Sequence, residues 1–212
     1  TWSQQAYIKP TNPGENDWFG QSVSLSSDGN TLAVGAIKED GDAVGINGID
    51  NNALNDTGAV YIFSRDGIAW MQQAYVKASN PNSSDYFGQS VSLSSDGNTL
   101  AIGSHFEDGS SASINGIDNN LLENSGAVYI FSRSGAAWSQ QAYVKANNPD
   151  SGDLFGNSIS LSSDGNVLAV GAMKEIGRTA GARTVRRLGA RKLNTCQAPI
   201  LFEAPVASSL LS

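Results

Sequence analysis

Two loops of this chain gather the kind of oxygens that a hard cation takes. The first runs from Glu39-Asp40-Gly41 to Ile46-Asn-Gly-Ile-Asp-Asn-Asn52, and the second repeats it as Glu107-Asp108-Gly109 and Ile114-Asn-Gly-Ile-Asp-Asn-Asn120. Calcium binds through about six to eight oxygen ligands, chiefly carboxylates, amide carbonyls and water. Asp40, Asp50 and Asn52 in one loop, and Asp108, Asp118 and Asn120 in the other, are therefore the candidate metal ligands, and calcium is the candidate cofactor. The same residue types also build turns, because Asp and Asn side chains bond to nearby backbone and tolerate left-handed φ. The residues alone leave both readings open.

Other chemistry finds less footing. The neighbouring carboxylates Glu39/Asp40 and Glu107/Asp108 could form acid and base pairs, but nothing near them in sequence would tune their pKa values. His105 is the single histidine, and its counterparts one repeat away are Ile37 and Met173, so no Ser-His-Asp arrangement can recur. Cys196 is the single cysteine, which rules out an intrachain disulfide and a cysteine-based metal cluster. No glycine loop follows a strand and opens a helix to cradle phosphate. No catalytic or organic-cofactor residue is nominated, and the expectation is that the chain is not an enzyme.

The loops belong to a repeating unit. The fifteen residues FGQSVSLSSDGNTLA occur at 19–33 and again at 87–101, a close copy starts at Phe155, and Trp2, Trp70 and Trp138 recur every 68 residues. Fixed self-similarity of this kind means that one supersecondary unit is stacked several times. Within a unit, Val23 and Leu25 alternate with serines over Gln21 to Ser26, the period-two mark of a strand. Asp28-Gly29-Asn30 then turns the chain into Thr31 to Ala36, predicting a hairpin. After the long loop, Gly58 to Ser64 and Ala69 to Lys77 read as third and fourth strands, the former apolar on both faces. Such a small sheet needs neighbours to cover it. The fold class expected is all-β: a partial β-propeller of four-stranded antiparallel blades of about 68 residues, followed by a non-repeat C-terminal tail. Trp2, Trp70 and Trp138, with Tyr7, Tyr75 and Tyr143, fall once per unit and read as packing elements.

The expected organisation is an outer strand at 1–9, blades at 10–78 and 79–146, a partial blade at 147–176, and a basic, divergent tail at 177–212. Charge marks the break: residues 1–176 hold nineteen acidic and seven basic side chains, whereas the tail holds Glu203 against six basic ones. A disordered end or a shifted reading frame explains the tail more simply than a basic arm, so no nucleic-acid partner is expected. The third and fourth strands of the last blade are read as missing. Closing even a four-bladed ring would take more residues than the 212 present, which predicts an open arc able to self-associate through its bare faces. No stretch is long and apolar enough for a transmembrane helix. The opening Thr-Trp-Ser-Gln has no leader, and the chain reads as a fragment or a mature piece.

Phe19-Gly20-x-Ser-Val, Leu32-Ala-Val-Gly-Ala36, Gly58-Ala-Val-Tyr-Ile-Phe63 and Gln72-Gln-Ala-Tyr75 together resemble the FG-GAP repeat of integrin-α-type β-propellers, in the form found in bacterial secreted or surface proteins. The resemblance covers residues 1–176. It implies a non-catalytic binding or adhesion module, secreted or at the cell surface, that meets a protein or carbohydrate ligand. Two alternatives stand beside it: an accessory propeller of a larger secreted enzyme, and a truncated product without independent function. Two departures matter. The family's third motif residue, proline, is Ile37, His105 or Met173 here, and the hairpin position where calcium-binding blades carry several carboxylates holds only Ser27-Asp28-Gly29-Asn30.

Overall fold

The computed structural model of the chain describes residues 1–174 and 200–203. Each repeat becomes one antiparallel sheet in simple meander order. Blade 1 consists of β1 (Phe19–Leu25), β2 (Thr31–Ala36), β3 (Ala59–Asp66) and β4 (Ala69–Val76); blade 2 consists of β5 (Ser90–Leu93), β6 (Thr99–Ser104), β7 (Ala127–Ser134) and β8 (Ala137–Val144). Blade 3 has β9 (Phe155–Leu161), β10 (Val167–Ala172) and β11 (Ile200–Glu203). The chain is an all-β partial propeller whose sheets do not close into a ring.

The Ser-Ser-Asp-Gly-Asn hairpins form as the turn chemistry dictates. Asp28 accepts from the Ser26 hydroxyl at 2.6 Å and from the Asn30 amide at 2.9 Å, and Gly29 takes φ +69°. These bonds hold the Asp28 carboxyl below its ordinary range, the Ser26 hydroxyl contributing most. Asp96 and Asp164 repeat the arrangement.

Blades are joined by the Phe-Gly pair. Phe87 is fully buried between Val60 and Ile62 of blade 1 and Tyr129 and Phe131 of blade 2. Its amide donates to Thr57 O at 3.0 Å, and it forms a parallel bridge with Gly58. A side chain at Gly58 would meet the Phe87 carbonyl at 2.1 Å, so only glycine lets the two backbones approach. Phe155 and Gly126 repeat the joint between blades 2 and 3, with the Phe155 amide on Ser125 O at 3.1 Å. Serines of the innermost strands add a second set of ties: Ser22 donates to Gly88 O at 2.6 Å and Ser90 to Gly156 O at 2.8 Å.

Two expectations are corrected. Residues 1–9 form no strand; Trp2 and Tyr7 lie in solvent, because no third strand stands beside them to supply a ladder. Blade 3 does have a third strand, since Ile200–Glu203 of the presumed tail pairs with β10 through Val167↔Glu203 to Val170↔Ile200. The readings of 175–199 and 204–212 as basic tail lie outside the described residues.

Candidate functional site

The β2–β3 and β6–β7 loops and the connections between blades all emerge at the same end of the sheets, where β1 begins, β2 ends, β3 begins and β4 ends. Each long loop folds back on its own blade. Asn47, at φ +53°, donates its amide to Tyr75 O at 2.7 Å and accepts the Tyr75 amide on its side-chain oxygen at 2.9 Å. Asn115 and Tyr143 do the same at 2.7 and 2.8 Å.

The six candidate metal ligands sit in these loops as structural acceptors and donors. Asp40 accepts the Asp56 amide and Asp108 the Asn124 amide, both at 2.7 Å. Asp50 accepts from the Asn12 side chain at 3.0 Å and Asp118 from the Asn80 side chain at 2.7 Å, which ties each loop to the connection leading into its blade. Asn52 and Asn120 take φ +51° and +50°, and their amides turn back onto Asp50 and Asp118 at 3.4 and 3.2 Å. Asn120 and Asn82 exchange a pair of side-chain bonds at 3.1 and 3.2 Å. Among the described residues no three Asp, Glu, His or Cys side chains converge as a metal site needs. In each loop the first carboxylate, Asp40 or Asp108, holds a backbone amide, and the second, Asp50 or Asp118, holds an asparagine side chain.

Sequence reasoning missed the group that organises each loop from beneath. Lys77, directly after β4, reaches Glu39 Oε2 at 2.5 Å and also donates to the Thr57 hydroxyl, while the Tyr75 hydroxyl donates to Glu39 Oε1. In blade 2, Lys145 lies 2.5 Å from Glu107 Oε2 and 2.6 Å from the Ser125 hydroxyl, and the Tyr143 hydroxyl donates to Glu107 Oε1 at 2.5 Å. All four charged side chains are buried. Burial pushes Glu39 and Glu107 up and Lys77 and Lys145 down, while each partner's charge pulls the other way. The available signal was a lysine closing the apolar Ala-Tyr-Val-Lys stretch 38 positions after a glutamate, in both units. Glu39 and Asp40 consequently serve different partners, Lys77 and the Asp56 amide.

Beside the loops runs a ridge of side chains that crosses from blade 1 to blade 2. Trp18, half-exposed, carries the Lys38 ammonium 4.6 Å from its ring centre; Lys38 also lies 5.9 Å from the Tyr86 ring. Tyr86 continues to Phe106 at 5.2 Å, and Phe106 lies under His105 at 4.0 Å. Burial pushes the His105 imidazole down to about 4, and its Nδ1 has no hydrogen-bond partner. Trp18 and Tyr86 both take φ +56°, a left-handed conformation that bulky residues seldom adopt and that aims each ring from the turn before Phe-Gly.

Here the repeats stop being copies. The fifteen residues starting at Phe19 and Phe87 are identical, yet the preceding position reads Trp18, Tyr86 and Leu154, and the second position after the second strand's end reads Lys38, Phe106 and Lys174. A scaffold fixes its core and varies the residues that meet ligands. A scan against family models matches the FG-GAP repeat at residues 2–63, 70–131 and 138–183. The chain belongs to the FG-GAP repeat family. No curated protein matches it. In this FG-GAP chain the name-giving Phe-Gly pair is therefore the blade joint, and the residues flanking it form the ridge.

Asp85, two residues before that pair, accepts the Asn82 amide at 2.9 Å and is buried; burial pushes its carboxyl from 3.8 up to about 8, with Glu107, Asp108 and Asp118 adding to the effect. A raised folded-state pKa favours the fold while the group is neutral, so this contribution is complete below about pH 4 and is lost as pH climbs through about 8. Thermal midpoints should fall between pH 6.5 and 9, and Asp85→Asn, which keeps the acceptor, should flatten that fall. Parallel slopes for parent and variant in circular-dichroism melts would count against it.

Proposed function

We propose that the chain is a non-catalytic binding or adhesion module that works outside the cytoplasm and meets its ligand on the Trp18–Lys38–Tyr86–Phe106 ridge and the adjoining loops. The observation that carries this reading is that the exposed Trp18 ring and the partly exposed Tyr86 ring stand at the position that differs directly before a fifteen-residue run shared by both units. Aromatic rings that reach the surface around one cation offer both stacking area and a polar handle, the composition of binding hot spots. Exposed Ile49 and Ile117 on the neighbouring loops extend the apolar area. A protein or carbohydrate surface fits this face; its secreted or surface setting rests on the FG-GAP repeats and on the bacterial arrays they resemble. Among the described residues no helix is long and apolar enough to cross a membrane.

Screening immobilised glycans and extracellular proteins should yield a ligand whose binding falls at least tenfold in Trp18→Ala/Tyr86→Ala, with the melting temperature kept within a few degrees. Equal binding by the variant would overturn the assignment of the ridge. Running the same screen with calcium and with chelator tests ion support, and the loop geometry predicts equal binding in both.

A further inference from the structure

Each long loop carries an Asn-Gly step, Asn47-Gly48 in the first and Asn115-Gly116 in the second, and the sequence has this step nowhere else. Asn-Gly is the step most open to deamidation, because glycine puts no side chain in the way when its backbone nitrogen turns on the preceding side-chain amide. Both asparagines are exposed, so water reaches them. Packing accounts for the glycines. A Cβ on Gly48 would meet the Cβ of the buried Ala43 at 2.8 Å, and one on Gly116 would run into the Ser111 side chain.

The folded loops hold both asparagines in a conformation that blocks this reaction. Asn47 and Asn115 take φ +53° and +54°, the left-handed region open to a residue with a side chain, where ψ is about +30 to +60°. Such a ψ sets Cβ and the next nitrogen nearly opposite each other across the Cα–C bond, whereas closing the five-membered ring needs them on the same side. Two bonds to one residue keep the turn in place. The Asn47 amide donates to Tyr75 O at 2.7 Å and Asn47 Oδ1 accepts the Tyr75 amide at 2.9 Å; Asn115 and Tyr143 repeat both at 2.7 and 2.8 Å. Bringing Asn47 Cγ onto the Gly48 nitrogen breaks the side-chain bond or swings Gly48 away from Ala43, and either is a local opening of the loop. Tyr75 also gives its hydroxyl to Glu39, which Lys77 neutralises, so the buried clamp and the asparagine share one anchor.

We propose that Asn47 and Asn115 are deamidation sites locked by the folded loops, each converted only when its own loop opens. In the opened loop the Gly48 nitrogen attacks Asn47 Cγ, the Cγ–Nδ2 bond breaks, and ammonia leaves with the proton that Gly48 gives up. Water then opens the succinimide at one of its two carbonyls and returns aspartate or isoaspartate. Isoaspartate routes the main chain through the side-chain methylene, so the left-handed turn onto Tyr75 is not remade. Either product adds a carboxylate to a loop that already holds Asp40, Asp42, Asp50 and Asp56. A loop that has opened is marked chemically, and the isoaspartyl form stays open. This assignment is independent of the ridge and its ligand.

Peptide mass spectrometry, with isoaspartate scored by enzymatic methylation, reads each site separately. In the full chain at mildly alkaline pH, Asn47 and Asn115 should convert at least about tenfold more slowly in native buffer than in concentrated urea, since the reaction draws only on the open fraction. The two loops control for each other. Lys77→Met loosens the anchor of the first loop, so it should speed conversion of Asn47 and leave Asn115 at the parent's rate; Lys145→Met should do the reverse. Amide exchange at Tyr75 and Tyr143, whose N–H groups the two asparagines hold, measures opening in the same samples. Conversion at each site should follow exchange at its own tyrosine from variant to variant, however far a given substitution opens the loop. Equal conversion in native buffer and in urea would overturn the proposal. So would conversion of Asn47 that keeps the parent's rate while Tyr75 exchange rises, or that rises while Tyr75 exchange stays fixed.

Discussion

Lys77→Met should cost about 3–5 kcal/mol of unfolding free energy, the range measured when one partner of a buried ion pair is removed. The ammonium of Lys77 is wholly enclosed and is the cation that neutralises Glu39, whose second oxygen is held by Tyr75. Removing it leaves a carboxylate in an apolar enclosure with a tyrosine hydroxyl as its remaining side-chain donor. That carboxyl must either stay charged at high cost or take up a proton. The pair is not for that reason a large net stabiliser, because burying both charges already consumes most of what their attraction returns. Glu39→Gln together with Lys77→Met should therefore lose less than Lys77→Met alone. Urea titrations at pH 7 check both, and a double variant at least as unstable as the single would contradict the role given to Glu39. The functional consequence lies above the clamp: Glu39 begins the long loop and Lys77 ends β4, so the pair fixes the loop to the sheet edge.

Phe87→Ala should be about as damaging, at roughly 3–5 kcal/mol, the usual cost of truncating a buried aromatic ring. Phe87 is fully enclosed, with edge-on contacts to Tyr129 at 5.2 Å and Phe131 at 6.3 Å. The same motif supplies an internal control. Phe19 holds the equivalent place against Tyr61 at 5.6 Å and Phe63 at 6.1 Å, but no blade precedes it among the described residues and it stays partly exposed. Phe19→Ala should cost the monomeric chain about half as much, since the lost burial is smaller. Denaturant midpoints of the two variants at equal slope make the comparison, and equal losses would mean that the neighbouring blade contributes nothing.

Much of the fold was legible because it is local. Thr31–Ala36 was bounded from sequence as it stands in the structure, and Asp-Gly-Asn made the hairpin where turn chemistry required it. Phe87 fills the joint between blades, and the glycine that lets the backbones meet there is Gly58, outside the Phe-Gly pair. What depended on neighbours was not legible. The Val23/Leu25 alternation indicated a greasy face correctly, but its burial depends on a blade that residues 1–174 do not supply. Residues 2–9 carry the full fourth-strand sequence and form no strand, because a strand needs a partner as well as a propensity. β11 escaped notice because Ile200–Glu203 shares no motif with β3 or β7.

The loops show the same division. Their Asp and Asn residues were visible as oxygen donors, but whether they converge is a three-dimensional question, and among the described residues they serve amides instead. Glu39 and Lys77 stand 38 residues apart and meet only when the loop folds back on β4. The ridge could have been found by comparing the units with one another, since Trp18, Tyr86 and Leu154 differ directly before a run that is otherwise repeated. That comparison separates scaffold from surface more sharply than any single motif does.

The central claim is that the repeats form one continuous stack, joined blade to blade by Phe-Gly and not strung as independent sheets. Native-state amide hydrogen exchange tests it most directly, because the joints have their own reporters: Phe87 N–H on Thr57 O and Phe155 N–H on Ser125 O. The account predicts that these two amides exchange with the same opening free energy as the central strands β2, β3, β6 and β7. Fast exchange at Phe87 and Phe155, with the strands of blades 1 and 2 opening at separate free energies, would contradict it.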